Sequence, residues 1–251
     1  MKKTSSLLVV LMLMLASFAA GLEYPRGDVD QDGTVSISDV TTLIDYLLTG
    51  TWPDEHEWVD LGLPSGTLWA TCNIGASSPE DYGDYFAWGE TEPKEVYDWR
   101  SYSLCGGSQV SMKKYCTKAS FGYGGYVDNK TELDPEDDAA YVNWGPSWRI
   151  PSVAQSQELF NCLSGWSQRN GVNGLLFTGS NGATLFLPAA GCRIENTINH
   201  GFGCYWLCSL DIDTPSKADY LDFTSRSIDW NTAGRYNGYP VRAVRVSSNL
   251  H

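Results

Sequence analysis

The sequence predicts an α+β protein: one long antiparallel, loop-rich domain carrying two short helices, preceded by a small loop–helix segment. Three observations predict this class. Helical periodicity is confined to a few short runs, while glycine (25 residues), tyrosine (14) and tryptophan (10) are abundant. Asn181-Gly182 sits between the apolar runs Leu175–Phe177 and Leu185–Leu187, which is the turn chemistry of a tight hairpin. From Trp58 to Val246 the chain runs about 190 residues without a low-complexity break, enough for one buried core.

At the amino terminus, Met1-Lys2-Lys3, the apolar run Leu7 to Leu15 and the small residues up to Gly21 have the order of a secretion signal, predicted over 1–21. The apolar run is too short to span a bilayer as a mature helix. Small residues place cleavage after Ala19 or Gly21, and the absence of a nearby cysteine argues against a lipid-anchored route. A secreted or cell-surface protein is therefore expected, with no membrane span in the mature chain. Loss of Lys2 and Lys3, with no acid, moves the formal charge from −13 to −15. Such a chain is not drawn to nucleic acid or an anionic membrane by bulk electrostatics.

Residues 22–50 form the next segment. In Asp28-Val-Asp30-Gln-Asp32-Gly33-Thr34-Val-Ser36-Ile-Ser-Asp39, oxygen side chains fall at loop positions 1, 3, 5, 9 and 12, with glycine at 6. Calcium takes six to eight oxygens, so a short loop must turn an oxygen inward at every second residue. The expected ligands are Asp28, Asp30, Asp32, the carbonyl of Thr34, Ser36 directly or through water, and Asp39 closing the shell. An Asp-rich surface turn that binds nothing is the plainer alternative. Behind the loop, Val40, Leu43, Ile44, Leu47 and Leu48 make a one-sided helical stripe that Thr49-Gly50 can stop. Only Leu22 to Gly27, with Pro25, lie upstream, so no incoming helix is expected. A loop followed by one helix resembles a type I dockerin repeat over Gly27 to Leu48. The resemblance implies a cohesin-like receptor as partner, with Ile37 and Ser38 at positions that contribute to partner choice. Dockerins carry two tandem repeats, and no second Asp-x-Asp-x-Asp-Gly occurs here, which favours calcium binding over tight docking.

Residues 51–57 read as a linker, 58–246 as the long domain and 247–251 as a tail. In the domain, Asp134 to Trp144 predicts a helix with proline and acids in its first turn. Ser152 with Gln155 predicts a capping box opening a second helix toward Leu159 and Cys162. The 175–187 hairpin is followed by strands at Cys204–Ser209, Tyr220–Phe223, Ser227–Trp230 and Val241–Val246. The stretch Gly75 to Lys113 is irregular and must be ordered by packing. Seven cysteines, an odd number, leave at least one thiol unpaired within a monomer. Cys204 and Cys208 on one strand stand roughly 13 Å apart, too far for a mutual bridge.

Several ordered motifs carry a second resemblance: Val59 through Ala76, Tyr82-Gly-Asp-Tyr-Phe-Ala-Trp88-Gly-Glu, Trp148-Arg149-Ile-Pro151, Leu185-Phe-Leu-Pro-Ala-Ala-Gly191, Tyr205-Trp206 and Val241-Arg-Ala-Val-Arg245. Together they are similar to the Fibrobacter succinogenes major paralogous domain, which is found in exported bacterial proteins. That resemblance implies a C-type-lectin-like, formylglycine-generating-enzyme-like architecture.

No Gly-x-Ser-x-Gly elbow, His-Glu-x-x-His or phosphate loop occurs. Glu92-Pro93-Lys94 and Trp230-Asn231-Thr232 are partial echoes of the calcium–sugar motifs of C-type lectins, each lacking its last ligand. Cys204 and Cys208 do not reproduce the reactive pair of the formylglycine-generating enzymes. The acids Asp134, Glu136, Asp137 and Asp138 suit a helix start better than catalysis, and His200 is the one loop histidine of note. Trp69, Trp88, Trp148 and Trp206 are expected in the core. Trp230, Asn231, Arg235, Tyr236 and Tyr239 combine aromatics with hydrogen-bonding groups, so a ligand surface is expected there, since flat rings stack on sugar faces. The expected function is a non-catalytic exported calcium-binding protein that is tethered through its loop segment and recognises a glycan or protein. A glycoside-hydrolase-associated component of polysaccharide degradation and a purely structural surface protein are the alternatives.

Overall fold

The computed structural model describes residues 35–49 and 56–246, and the chain divides into two compact units, 1–55 and 56–251. In the first unit the described element is helix α1 (Ile37–Thr49). Asp39 lies in its first turn and is buried, and its carboxylate Oδ2 accepts the backbone N–H of Ser36 at 2.6 Å. This reach back over the open end satisfies a donor that the helix itself cannot. Ile37, Val40, Ile44 and Leu47, spaced to share a face, are exposed.

The second unit is mostly antiparallel sheet with few helices, an α+β arrangement. Strands β1 (Trp58–Asp60), β2 (Thr67–Ala70) and β11 (Val244–Val246) form one sheet with β2 in the middle, so the first and last strands of the unit flank β2 on either side. Central position explains why all four residues of β2 are buried. A second sheet has the order β3 (Leu163–Arg169), β4 (Val172–Thr178), β5 (Thr184–Pro188). Its β4–β5 connection is the hairpin expected at Asn181-Gly182, and Gly182 takes the φ of +84° that such a turn reserves for glycine. A third sheet joins β8 (Gly203–Leu210), β9 (Lys217–Phe223) and β10 (Ile228–Gly234). Its β8–β9 register shifts between Trp206 and Leu210. The short pair β6 (Cys192–Ile194) and β7 (Thr197–Asn199) completes the set.

Two short α-helices are present among the described residues of this unit. In α2 (Ala139–Trp144) the expected 134–144 helix is divided. Pro135–Asp137 make a 3-10 turn, and the extended Asp138 restarts the chain as an N-cap, accepting the N–H groups of Ala140 and Tyr141. The same buried carboxylate accepts the N–H of Ile150 at 3.0 Å, tying the start of the helix to the strand-like segment that follows it. In α3 (Val153–Leu159) the expected capping box is in place, with Ser152 and Gln155 exchanging backbone and side-chain bonds at 3.2 and 2.9 Å.

Residues 71–138 hold no α-helix or strand and are fixed from outside. Trp88 and Trp206 brace one another's backbones: the Trp88 indole donates to the Leu207 carbonyl at 2.8 Å, and the Trp206 indole to the Phe86 carbonyl at 2.7 Å. Trp206 also stacks on Tyr239 with ring centres 4.3 Å apart. Trp69, Trp88, Trp148 and Trp206 are all fully buried, as expected. His56 and Glu57, read from the sequence as the end of the linker, pack on this unit. His56 stacks on Trp144 at 3.9 Å, and the Glu57 carbonyl accepts the N–H of Thr71.

Candidate functional site

Of the six expected calcium ligands, Asp28, Asp30, Asp32 and Thr34 lie outside the described residues, as does most of the 51–57 linker. Ser36 and Asp39 are described, and they meet at the junction of loop and helix through the 2.6 Å bond between the Ser36 N–H and the Asp39 carboxylate.

The expected ligand surface is split by the fold. Trp230 and Asn231 sit on β10, an edge strand, and both side chains are exposed, with Trp230 at 43%. Register places Trp230 opposite Leu221 and Asn231 opposite Tyr220, so the two point to opposite faces of the sheet. Tyr236 is half-buried, its ring tilted against Trp99 at 4.7 Å. Arg235 and Tyr239 are interior residues, which corrects their reading as ligand groups. Tyr239 is occupied by its stack on Trp206 and by a bond from Asn237 to its hydroxyl at 3.2 Å.

Arg235 is completely buried in a cage. Its Nε donates to the Tyr102 hydroxyl at 2.9 Å, Nη1 to the carbonyls of Tyr115 and Pro215 at 3.1 and 3.0 Å, and Nη2 to the carbonyl of Lys114 at 3.1 Å. The rings of Trp88, Tyr102 and Tyr115 surround the guanidinium at 4.8 to 5.7 Å. A planar cation with five donors can satisfy many carbonyls at once, and here it ties the irregular 102–115 loop to the carboxyl-terminal segment.

A cation site that sequence reasoning assigned only to helix capping is built at Asp134, Glu136 and Asp137. One oxygen from each lies within 4.8 Å of the others, a set that could hold a metal ion. The described structure already places a cation there. Lys114 Nζ stands 2.8 Å from Asp134, 3.1 Å from Glu136 and 2.5 Å from Asp137. Burial alone would lower the Lys114 ammonium's pKa, but its bonds to Asp134, Asp137 and Glu136 outweigh that and raise it. Hydrogen bonds from Lys114 and Lys130 hold Asp134 below the usual carboxylate range. The Tyr115 hydroxyl donates to Asp137 at 2.5 Å and accepts the N–H of Asp134 at 2.8 Å, fixing both acids.

Beside this cluster lies a cleft of about 380 Å³ whose walls include Glu90, Glu92, Lys94, Glu136 and Asp137. Glu92-Pro93-Lys94 thus faces an acid-lined cleft, with Lys94 paired to Glu90 at 2.6 Å. The other partial echo, Trp230-Asn231-Thr232, lies on β10. His200 stacks on Tyr82 at 4.7 Å and bonds through Nδ1 to the Ala190 carbonyl, a packing role.

Compared with known proteins, the chain matches no family model, no curated protein and no solved structure.

Proposed function

We propose that the protein is an exported, non-catalytic calcium-binding module whose loop segment tethers it and whose long domain, C-type-lectin-like in architecture, recognises a glycan or a protein ligand. The observation that carries this reading is the oxygen spacing from Asp28 to Asp39, with the helix that follows it. Asp39, the loop's closing acid, is buried and turned back toward Ser36, consistent with a carboxylate recruited to the loop rather than left in solvent. Asp28, Asp30, Asp32, the Thr34 carbonyl, Ser36 and Asp39 are the donors that would hold the ion, an all-oxygen set of the hardness calcium prefers. The bound ion would supply charge balance for four carboxylates crowded into twelve residues. The exposed apolar residues Ile37, Val40, Ile44 and Leu47 on α1 would then present a greasy, ion-stiffened face to a cohesin-like receptor.

For the long domain, antiparallel sheets, short helices and long packed loops support the proposed architecture and its kinship with the Fibrobacter succinogenes major paralogous domain. Of that family's signature residues, Asn73, Trp88, Trp148, Trp206 and Arg242 are all buried. The motifs therefore serve the scaffold, which leaves recognition to exposed groups such as Trp230 and Asn231.

Calorimetric titration of the secreted form with calcium tests the loop. Uptake of one ion, abolished by Asp30→Ala or Asp32→Ala, is expected. No uptake at millimolar calcium would remove the tethering half of the reading. A glycan array and an envelope pull-down, each run with and without chelator, test the recognition half.

A further inference from the structure

We infer that Cys192 and Cys204 are partners in a disulfide that forms as the chain folds in the presence of an oxidised thiol reagent. The sequence places the same dipeptide, Gly-Cys, at 191–192 and at 203–204. The fold then brings the two copies side by side. Gly191 and Gly203 form a parallel bridge, with the Gly191 N–H donating to the Phe202 carbonyl at 2.7 Å. Cys192 and Cys204 each follow a bridged glycine by one residue; the bridge itself is isolated, because the next N–H along, that of Arg193, turns to the Gly238 carbonyl at 2.7 Å. Neighbouring strands lie about 4.8 Å apart. That spacing falls inside the separation of roughly 4.4–6.8 Å between Cα atoms that a disulfide requires.

Glycine at both bridge positions leaves room for the strands that flank the bridge, β7 on one side and β9 on the other. A Cβ on Gly191 would lie 1.6 Å from the Asn199 carbonyl oxygen, and one on Gly203 would lie 2.1 Å from the Phe223 ring. Both thiols belong to the same buried cluster, at 6% and 4% exposure, alongside Trp206 and Tyr239. Their nearness also shows electrostatically. Burial raises the Cys204 thiol's pKa, and Cys192 is the next contributor. Tyr220 and Tyr239 each respond to both cysteines. Of the five other thiols, the two buried ones are engaged elsewhere: Cys105 donates to the Trp99 carbonyl and Cys116 to the Lys118 carbonyl, both at 3.2 Å.

The oxidant is a disulfide, either small-molecule or on an oxidoreductase. One cysteine thiolate attacks it, releasing one reagent thiol and leaving a mixed disulfide. The second cysteine then attacks the protein sulfur and releases the other reagent thiol. Two electrons pass from the protein to the reagent, and the two thiol protons leave with the released thiols or to solvent. Burial keeps both sulfurs protonated and out of reach in the finished fold, so exchange takes place before the β6–β8 contact closes. The product closes a loop of about 13 residues and fastens the β6–β7 pair to β8.

The test refolds the full chain from denaturant in oxidised and reduced glutathione, alkylates the free thiols and maps peptides without reduction. The expected result is a peptide pair joined through Cys192 and Cys204, with the other five cysteines alkylated, and a melting temperature several degrees above that of the reduced protein. Cys192→Ser and Cys204→Ser should each delete the linked pair and the rise in melting temperature. Recovery of both residues as alkylated thiols in the wild-type chain, or of either joined to another cysteine, overturns the assignment whatever the variants do.

Discussion

Arg242 Nε donates to the side-chain oxygen of Asn73 at 2.8 Å, joining residues 169 positions apart at the centre of the long domain. Both are completely buried. Arg242 Nη1 adds bonds to the carbonyls of Ala70, Thr71 and Phe186, while the Asn73 amide donates to the Tyr82 carbonyl and the Tyr205 hydroxyl. Burial pulls the guanidinium's pKa down to about 10, so the group remains charged at neutral pH. Its charge is met here by carbonyls and an amide. Asn73→Ala should leave Arg242 Nε and the Tyr82 carbonyl short of partners, costing about 2–4 kcal/mol in urea unfolding. Arg242→Lys should cost a similar amount, because one ammonium cannot reach the spread of oxygens that the fork spans. A loss below about 0.5 kcal/mol for both variants would mean that water or rearrangement replaces the network.

Asp219 gives the fold a pH dependence of unusual sign for an acid. It lies on β9 at 9% exposure, and burial, followed by the nearby Asp211 charge, lifts its carboxyl from 3.8 to about 6. The folded state therefore binds this proton more tightly than the unfolded chain does. Its stabilising contribution is full below pH 3.8 and is lost as pH rises through 6, a difference of about 3 kcal/mol. Asp219→Asn should be close to neutral at pH 4 and stabilising at pH 7.5. Denaturation curves at the two pH values check this, and a gap between variant and wild type that ignores pH would refute it.

Lys114 holds three carboxylates that would otherwise repel one another. Lys114→Met should cost about 1 kcal/mol, as partly exposed pairs generally do. It should also expose the Asp134–Glu136–Asp137 set to other cations. Millimolar calcium or magnesium should then raise the melting temperature of the variant more than that of the wild type. Equal responses from the two proteins would show that the acids relax apart once the lysine is gone.

These sites differ in how far the sequence discloses them. The Ser152–Gln155 box and the Asn181-Gly182 turn were readable because each is settled by residues within five positions. Asp138 was readable as a helix-start acid, but its second duty to Ile150 depends on chain twelve residues on. Strand β3, Leu-Ser-Gly-Trp-Ser-Gln-Arg, carries weak strand formers and an exposed surface, so it exists by pairing with β4 and leaves no periodic trace. Arg235 was misread for a related reason. Its partners Lys114 and Tyr115 lie about 120 positions away, and an arginine between Gly234 and Tyr236 looks like any exposed loop cation. The proposed calcium loop rests on ligand spacing in the sequence, and of its expected ligands only Ser36 and Asp39 fall among the described residues. The paired Gly-Cys dipeptides were visible in the sequence too, but only the Gly191–Gly203 bridge gives them meaning.

Trp230 separates a recognition role from a packing role. With 43% of its surface exposed on an edge strand, it offers aromatic surface on which the C–H face of a sugar can stack. Its covered half shares a sheet face with the buried Leu221, so truncation is not free of structural cost. Trp230→Ala should lower stability by only about 1 kcal/mol, well short of the several kcal/mol expected from emptying a core tryptophan such as Trp206. If β10 contributes to ligand capture, the same substitution should reduce retention on any glycan or envelope partner at least tenfold, while Trp230→Phe keeps most of it. Asn231→Ala, which alters the opposite face of the strand, should leave retention by the Trp230 face intact. Equal retention by Trp230→Ala and wild type, with both folded by circular dichroism, would place the binding surface away from this strand.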